Sequence, residues 1–174
     1  MTADEQEQLF KQCLADHTNL MWRVARAFAL SPHDQKDLLQ EMAVQVWRSL
    51  PNFRGEAKTS TWIYRVAFNT ALVWKRKELR RHARHERFVN CNVPEIPSPN
   101  APVDAFSQEV VDQLYTAIRQ LPKIDTSLAL MHLDGLSYRE MSDVVGLTEV
   151  NVGVKLTRIR KQLAEMLKGA HHEL

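Results

Sequence analysis

Residues 137–163 read SYREMSDVVGLTEVNVGVKLTRIRKQL, and their punctuation decides how the chain is read. Ser137 followed by Glu140 three residues later makes a capping box, which predicts a helix start. Gly146 predicts its end, and Thr148 can cap the next helix. That next helix carries Val152, Leu156, Ile159, Leu163 and Met166, alternately four and three apart, so one side of it is an apolar stripe. A short capped helix, a glycine turn and a longer amphipathic helix make a helix-turn-helix pattern. In that motif the N-terminal residues of the second helix meet base edges in the major groove. With the stripe turned inward, Asn151, Val154, Lys155, Arg158 and Lys161 face outward. Asn and Arg can make paired hydrogen bonds to adenine and guanine, and Lys suits guanine or phosphate. The solvated face of an ordinary bundle helix would give the same pattern.

Upstream of this motif, residues 105–120 are amphipathic at helical spacing and end before Pro122. Residues 125–133 predict another helix, stopped by Gly135. Earlier still, residues 88–107 read FVNCNVPEIPSPNAPVDAFS and hold four of the seven prolines, Pro94, Pro97, Pro99 and Pro102. Such spacing blocks a helix and favours an extended tether. The expected organisation is therefore all-α: two small helical domains, residues 1–87 and 108–174, joined by a proline-rich linker at 88–107.

The first domain reads as four helices. Residues 5–17 and 20–29 predict two. A third starts at Ser31-Pro32, a cap followed by proline at the first helical position. It carries Leu38, Leu39, Met42, Ala43, Val46, Trp47 and Leu50 at helical spacing and ends at Pro51. A loop over residues 52–60 follows, and a long helix is expected from about Thr61 into the basic run. That run, KRKELRRHARHER at 75–87, holds seven Lys or Arg against two Glu, and residues 155–168 hold five against one. Formal net charge is only +2, because acids such as Asp4, Glu5, Glu7, Asp34, Asp37 and Glu41 cluster elsewhere. Separate basic patches on a near-neutral chain suit phosphate at the patches and protein elsewhere. Around the loop, Asn52, Phe53, Arg54, Lys58 and Thr59 adjoin Trp62, Tyr64, Arg65, Asn69, Trp74, Lys75 and Arg76. Rings that stack, amides that read edges and cations that hold a backbone suit unpaired bases. Taken singly, Phe53 and Trp62 are more often core residues than platforms for bases.

At these residues the chain resembles the sigma-70 family of transcription initiation factors. Asp34-x-x-Asp37-Leu-Leu-Gln40-Glu41, Val46-Trp47-Arg48, Phe53-Arg54-Gly55 and Thr61-Trp62-Ile63-Tyr64-Arg65-Val66-Ala67-x-Asn69 resemble conserved region 2. Leu121-Pro122, Asp134-Gly135-Leu136-Ser137-Tyr138-x-Glu140, Gly146-Leu147-Thr148 and Arg158-Ile159-Arg160-Lys161-x-Leu163 resemble region 4. The short two-domain form is that of the extracytoplasmic-function (ECF) group. The resemblance implies that Asp34, Asp37, Gln40, Glu41 and Trp47 dock on the β′ clamp helices of core RNA polymerase. It implies that Asn52, Phe53, Arg54, Lys58, Thr59, Trp62, Arg65, Asn69, Lys75 and Arg76 hold the −10 element. Ser137, Arg139, Thr148, Asn151, Val154, Lys155, Arg158 and Lys161 would read the −35 element of promoter DNA. The β flap and an anti-sigma factor are further implied partners. One departure stands out: where many relatives start the recognition helix with a Gly-Thr-Val-Lys-Ser-like stretch, this chain has Glu149-Val150-Asn151-Val152-Gly153-Val154-Lys155.

Other classes fit poorly. Cys13 and His17 lie four apart on an expected helix, but no second Cys/His pair stands at metal-binding spacing, and structural zinc takes four ligands. No phosphate-binding or dinucleotide glycine pattern occurs. No enzyme activity, metal, cofactor or small-molecule substrate is expected. With two cysteines, an acidic start MTADEQEQLF that lacks the apolar core of a signal peptide, and no apolar run near 18 residues, the expectation is a cytoplasmic protein without membrane insertion. A stand-alone helix-turn-helix regulator is the alternative, but it leaves the aromatic loop and the acidic helix unused.

Overall fold

The computed structural model describes residues 2–82 and 105–170, with side chains over 2–77 and 108–168. The described residues form seven helices: α1 (Ala3–Phe28), α2 (Pro32–Ser49), α3 (Thr59–His82), α4 (Ala105–Gln120), α5 (Lys123–Leu133), α6 (Tyr138–Val145) and α7 (Glu149–Ala170). A single 3₁₀ turn, Leu50–Asn52, follows α2, and no strand occurs among the described residues. The all-α expectation holds. The expected linker at 88–107 lies outside the described residues except for its last three, which α4 takes as its first turn.

One expectation is corrected. Residues 5–17 and 20–29 do not form two helices; α1 runs unbroken across both. His17, Thr18 and Asn19 are weak helix formers, but no glycine or proline interrupts them. The Thr18 hydroxyl donates to the Leu14 carbonyl instead of competing for a turn. Burial of Cys13, Leu20, Met21, Val24 and Phe28 on one side then outweighs the local preference. A smaller shift concerns α3, which begins at Thr59, two residues earlier than expected, and buries Thr61.

Helices α1, α2 and α3 pack on one another around Val24, Leu38, Met42, Val46, Ile63 and Ala67, all fully buried. Helices α4–α7 close around Ile118, Leu128, Met131, Met141, Val152 and Leu156. The capping box at Ser137 is present on both sides, with the Glu140 amide donating to the Ser137 hydroxyl and the Ser137 amide to the Glu140 carboxylate. Gly146 ends α6 at φ 72°, a left-handed conformation that side chains disfavour.

The two groups of helices also touch. Helix α1 packs on α4 and α5, and α3 packs on α6. Arg23 of α1 reaches the Asp134 carboxylate at 2.8 Å, and Arg26 pairs with Asp112 while lying 4.4 Å over the Tyr115 ring. Arg119 donates to the Arg26 carbonyl at 3.0 Å. Burial raises the Asp134 carboxyl above its ordinary range despite the guanidinium beside it. A carboxyl raised on folding favours the fold only in its neutral form, below its ordinary pKa. Asp134→Asn is therefore expected to change stability by less than about 1 kcal/mol, because the half-exposed Arg23 can hydrate. Leu156→Ala, inside the α7 core, should cost about 2–5 kcal/mol. Urea unfolding of the two variants measures the contrast; equal losses would show that the seam contributes as much as the core.

Candidate polymerase and nucleic-acid surfaces

Helix α2 buries Leu38, Leu39, Met42 and Val46. Residues at helical spacing on its opposite side are Asp37, Gln40, Glu41, Val44, Trp47 and Arg48. Trp47 stood in the expected core stripe, yet it is exposed at 38% and holds its position through an edge contact with Phe10, ring centres 5.2 Å apart. Gln6 of α1 donates to the Trp47 carbonyl at 2.9 Å. Asp37 lies 3.5 Å from His33, and Gln45 donates to Glu41 at 2.9 Å. Asp34 belongs to the helix start, where its amide and carboxylate both meet the Ser31 hydroxyl. The sequence reading missed Val44, 43% exposed in the middle of this face. Its position three residues after Glu41 and four after Gln40 was the available signal.

The loop between α2 and α3 begins at Asn52, exposed at the end of the 3₁₀ turn. Phe53 is half-buried against Trp62, ring centres 4.7 Å apart, so the two form one partly open aromatic platform. Gly55 adopts φ 71°, which turns the chain back towards α3. Arg54 is exposed beside Glu56 at 4.0 Å, and Thr59 is half-buried at the first position of α3. Along α3, Trp62, Arg65, Asn69 and Arg76 share the side away from the core, and Arg76 donates back to the Leu72 carbonyl at 3.2 Å. Asn69 also lines a cleft of about 300 Å³ with Glu41, Gln45, Val73, Trp74 and Lys77. Lys75 is not on that side. It is half-buried 5.8 Å from the centre of the Phe28 ring, and burial, with Lys123 and Arg119 nearby, lowers its ammonium below the ordinary lysine range.

On the helix-turn-helix, Arg139, Thr148, Asn151, Val154, Arg158 and Lys161 are exposed. The Asn151 amide takes the Thr148 hydroxyl as its cap at 3.3 Å. Ser137 is engaged in the α6 cap, and Lys155 is drawn sideways to Asp125 of α5 at 2.8 Å. Gly153 faces Tyr138: a β-carbon there would lie 3.3 Å from the edge of the tyrosine ring. The glycine thus lets α6 and α7 close together, a packing reason that the sequence did not reveal.

Residues 13–81 match the Sigma-70 region 2 family and residues 112–163 match the Sigma-70, region 4 family. The chain belongs to the sigma-70 family. It is similar to the ECF RNA polymerase sigma-E factor of Haemophilus influenzae, 26% identical over 148 residues that cover 80% of this chain and 77% of the relative. It is also similar to the RNA polymerase sigma-H factor of Pseudomonas aeruginosa, 28% identical over 150 residues, 81% of this chain and 77% of the relative. The same fold occurs in the sigma factor RpoE solved in complex with the anti-sigma factor NepR from Bartonella quintana, with TM-score 0.69, 19% identity, and coverage of 91% of this chain and 96% of that one. A region 2 and a region 4 stand in order on this chain.

In this sigma-70 chain the loop and α3 of region 2 meet helix α6 of region 4. Lys58, in the loop, pairs with Glu140 of α6 at 2.8 Å, and Arg65 donates to the Asp143 carbonyl. The Lys58 hydrogen bond, together with the Ser137 amide and hydroxyl, lowers the Glu140 carboxyl from 4.5 to about 2. A carboxyl lowered on folding contributes stability that is complete above its ordinary pKa. The contribution disappears as pH falls from about 4.5 towards about 2. Wild type is therefore expected to lose more thermal stability than Glu140→Gln between pH 5 and pH 3. Lys58→Ala should show part of that difference, since the Ser137 cap remains. Parallel acid melting curves for wild type and Glu140→Gln would show that Glu140 carries no such linkage.

Proposed function

We propose that this chain is an alternative sigma factor of the ECF kind, which binds core RNA polymerase, directs it to specific promoters and promotes melting at the start site. The observation that carries this reading is the ordered pair of sigma-70 regions across residues 13–163, which a stand-alone helix-turn-helix regulator does not need. The factor acts by binding and catalyses nothing itself. Its place of work is the cytoplasm, with the polymerase; no described helix is long and apolar enough to cross a membrane. Residues 1–87 and 108–174 serve as two units on either side of a linker at 88–107.

The outer face of α2 supports docking on the β′ clamp helices. Exposed Val44 and Trp47 offer apolar area, and Asp34, Asp37, Gln40 and Glu41 supply polar and negative groups that fix register. The loop before α3, from Asn52 to Lys58, and the outer side of α3 suit the −10 strand. Extruding a base costs a few kcal/mol, and stacking on an aromatic returns about 1–3 kcal/mol per base. Phe53 and Trp62 offer the stack, Asn52 and Thr59 an edge, and Arg54, Lys58, Arg65, Asn69 and Arg76 the backbone. Lys75, on another side of α3, suits phosphate further along. The exposed start of α7, with Ser137, Arg139 and Thr148 at the helix ends and Lys155 at its flank, suits the −35 duplex, and the β flap is a further contact of this region. An anti-sigma factor is the proposed regulator, since the similar solved RpoE is held by one.

The compact arrangement supports a further step in this reading. Elements named for positions about 25 base pairs apart are separated by roughly 85 Å of duplex at 3.4 Å per pair. Lys58 and Glu140 are 2.8 Å apart. Both DNA surfaces cannot serve one promoter until the α3–α6 contact opens, so core binding has to separate the two units.

Two tests address the surfaces. Reversing charge at Asp37 and Glu41 together should weaken competition for core polymerase at least tenfold while the circular dichroism stays helical. A double variant that competes as well as wild type would remove α2 from the interface. Asn52→Ala in holoenzyme should leave closed duplex binding nearly unchanged and reduce open complexes, read as permanganate reactivity of bubble thymines. A pre-melted bubble should rescue only part of the loss. Normal reactivity in the variant would place strand capture elsewhere.

A further inference from the structure

Helix α7 buries Val152, Leu156 and Ile159. Directly opposite, at the first and second turns, stand Val150 and Val154, exposed at 76% and 49%. No other described part of the chain covers them, and exposed branched residues weaken rather than strengthen a solvated helix. Arg158 and Lys161 continue the same side one and two turns later, both exposed. Among the polar groups near the tip, Asn151 is exposed to one side of the two valines, next to Arg158. Lys155 is held at the flank by Asp125, and Gly153 lies under the Tyr138 ring. The leading surface of the helix therefore carries an apolar strip, Val150 and Val154, with Asn151 beside it and cations behind it.

A valine side chain has neither donor nor acceptor, so it cannot satisfy the polar edge of a base. Set against an amino or carbonyl group in the major groove, it would strip that group of water and return nothing. The apolar feature of a standard base edge in that groove is the C5-methyl of thymine. The cations behind supply the complementary charge for a duplex and hold the helix against phosphate. We infer that Val150 and Val154 read thymine methyl groups in the −35 duplex, and so bias this factor towards T·A pairs where the tip of α7 enters the groove. The inference rests on the reading of α7 as the recognition helix. It adds Val150, which lay outside the sequence-level candidates, and gives Val154 a chemical role.

The test uses holoenzyme and a duplex selected by it from a pool randomised at the −35 position. Each thymine of the selected duplex is replaced singly by uracil, which removes one methyl and leaves every hydrogen-bonding group in place. For wild type, at least one replacement should weaken binding roughly threefold, the size expected for one buried methyl group. Val150→Ala or Val154→Ala should bind the thymine and uracil duplexes alike at that position. Insensitivity of wild type to every replacement would overturn the inference, as would undiminished sensitivity in both variants. Loss of core polymerase affinity in the valine variants, with DNA binding intact, would also overturn it and make this face a protein contact. Arg158→Ala separates the two levels. If it weakens the selected duplex while uracil has no effect, the methyl reading alone fails; if no duplex is selected and Arg158→Ala changes nothing, the assignment of α7 fails with it.

Discussion

A helix that buries residues three and four apart on one side must present the residues between them on the other. The surfaces of this sigma-70 chain depend on that constraint. Helix α2 buries Leu38, Met42 and Val46, which leaves Asp37, Glu41, Val44 and Trp47 outside. Helix α3 buries Ile63, Tyr64, Ala67 and Ala71, which turns Trp62, Arg65, Asn69 and Arg76 away from the core. Helix α7 buries Val152, Leu156 and Ile159 and so aims Val150 and Val154 outward. In each case the core decides which residues are left for a partner. A substitution that rotated the buried stripe would move the binding face with it.

The contact between α3 and α6 joins these surfaces. Glu140 closes the cap that starts the helix-turn-helix and also pairs with Lys58 of the loop. Arg65 ends on the Asp143 carbonyl of the same short helix. These are mostly exposed, charge-assisted contacts, individually weak and sensitive to salt. The apolar cores on either side are much harder to disturb. A seam of this kind can open without disturbing either core. The half-buried Arg23–Asp134 pair adds little, because burial of the carboxylate offsets its attraction to the guanidinium.

Local chemistry and tertiary packing can also disagree, and α1 is the clearest instance. The weak formers His17, Thr18 and Asn19 lie inside a helix of 26 residues because one side of it fills the core. Gly153 is the converse. By propensity it weakens α7, but its missing β-carbon leaves room for the Tyr138 ring at the junction of the two helices.

The sequence by itself determined the helical class, the caps at Ser31, Ser137 and Thr148, the glycine stop at Gly146, and the division of α7 into a buried stripe and an outward face. These follow from spacing and from single-residue conformational limits, which are local. It also carried the ordered motifs of regions 2 and 4. Tertiary structure alone decided the continuity of α1, the exposure of Trp47, the sideways tie of Lys155 to Asp125, the role of Gly153 and the meeting of Lys58 with Glu140. The last four join residues far apart in the chain: Phe10 with Trp47, Asp125 with Lys155, Tyr138 with Gly153 and Lys58 with Glu140. No periodicity within one helix records which other helix will lie against it, because that choice is made by the shapes and charges of both faces at once.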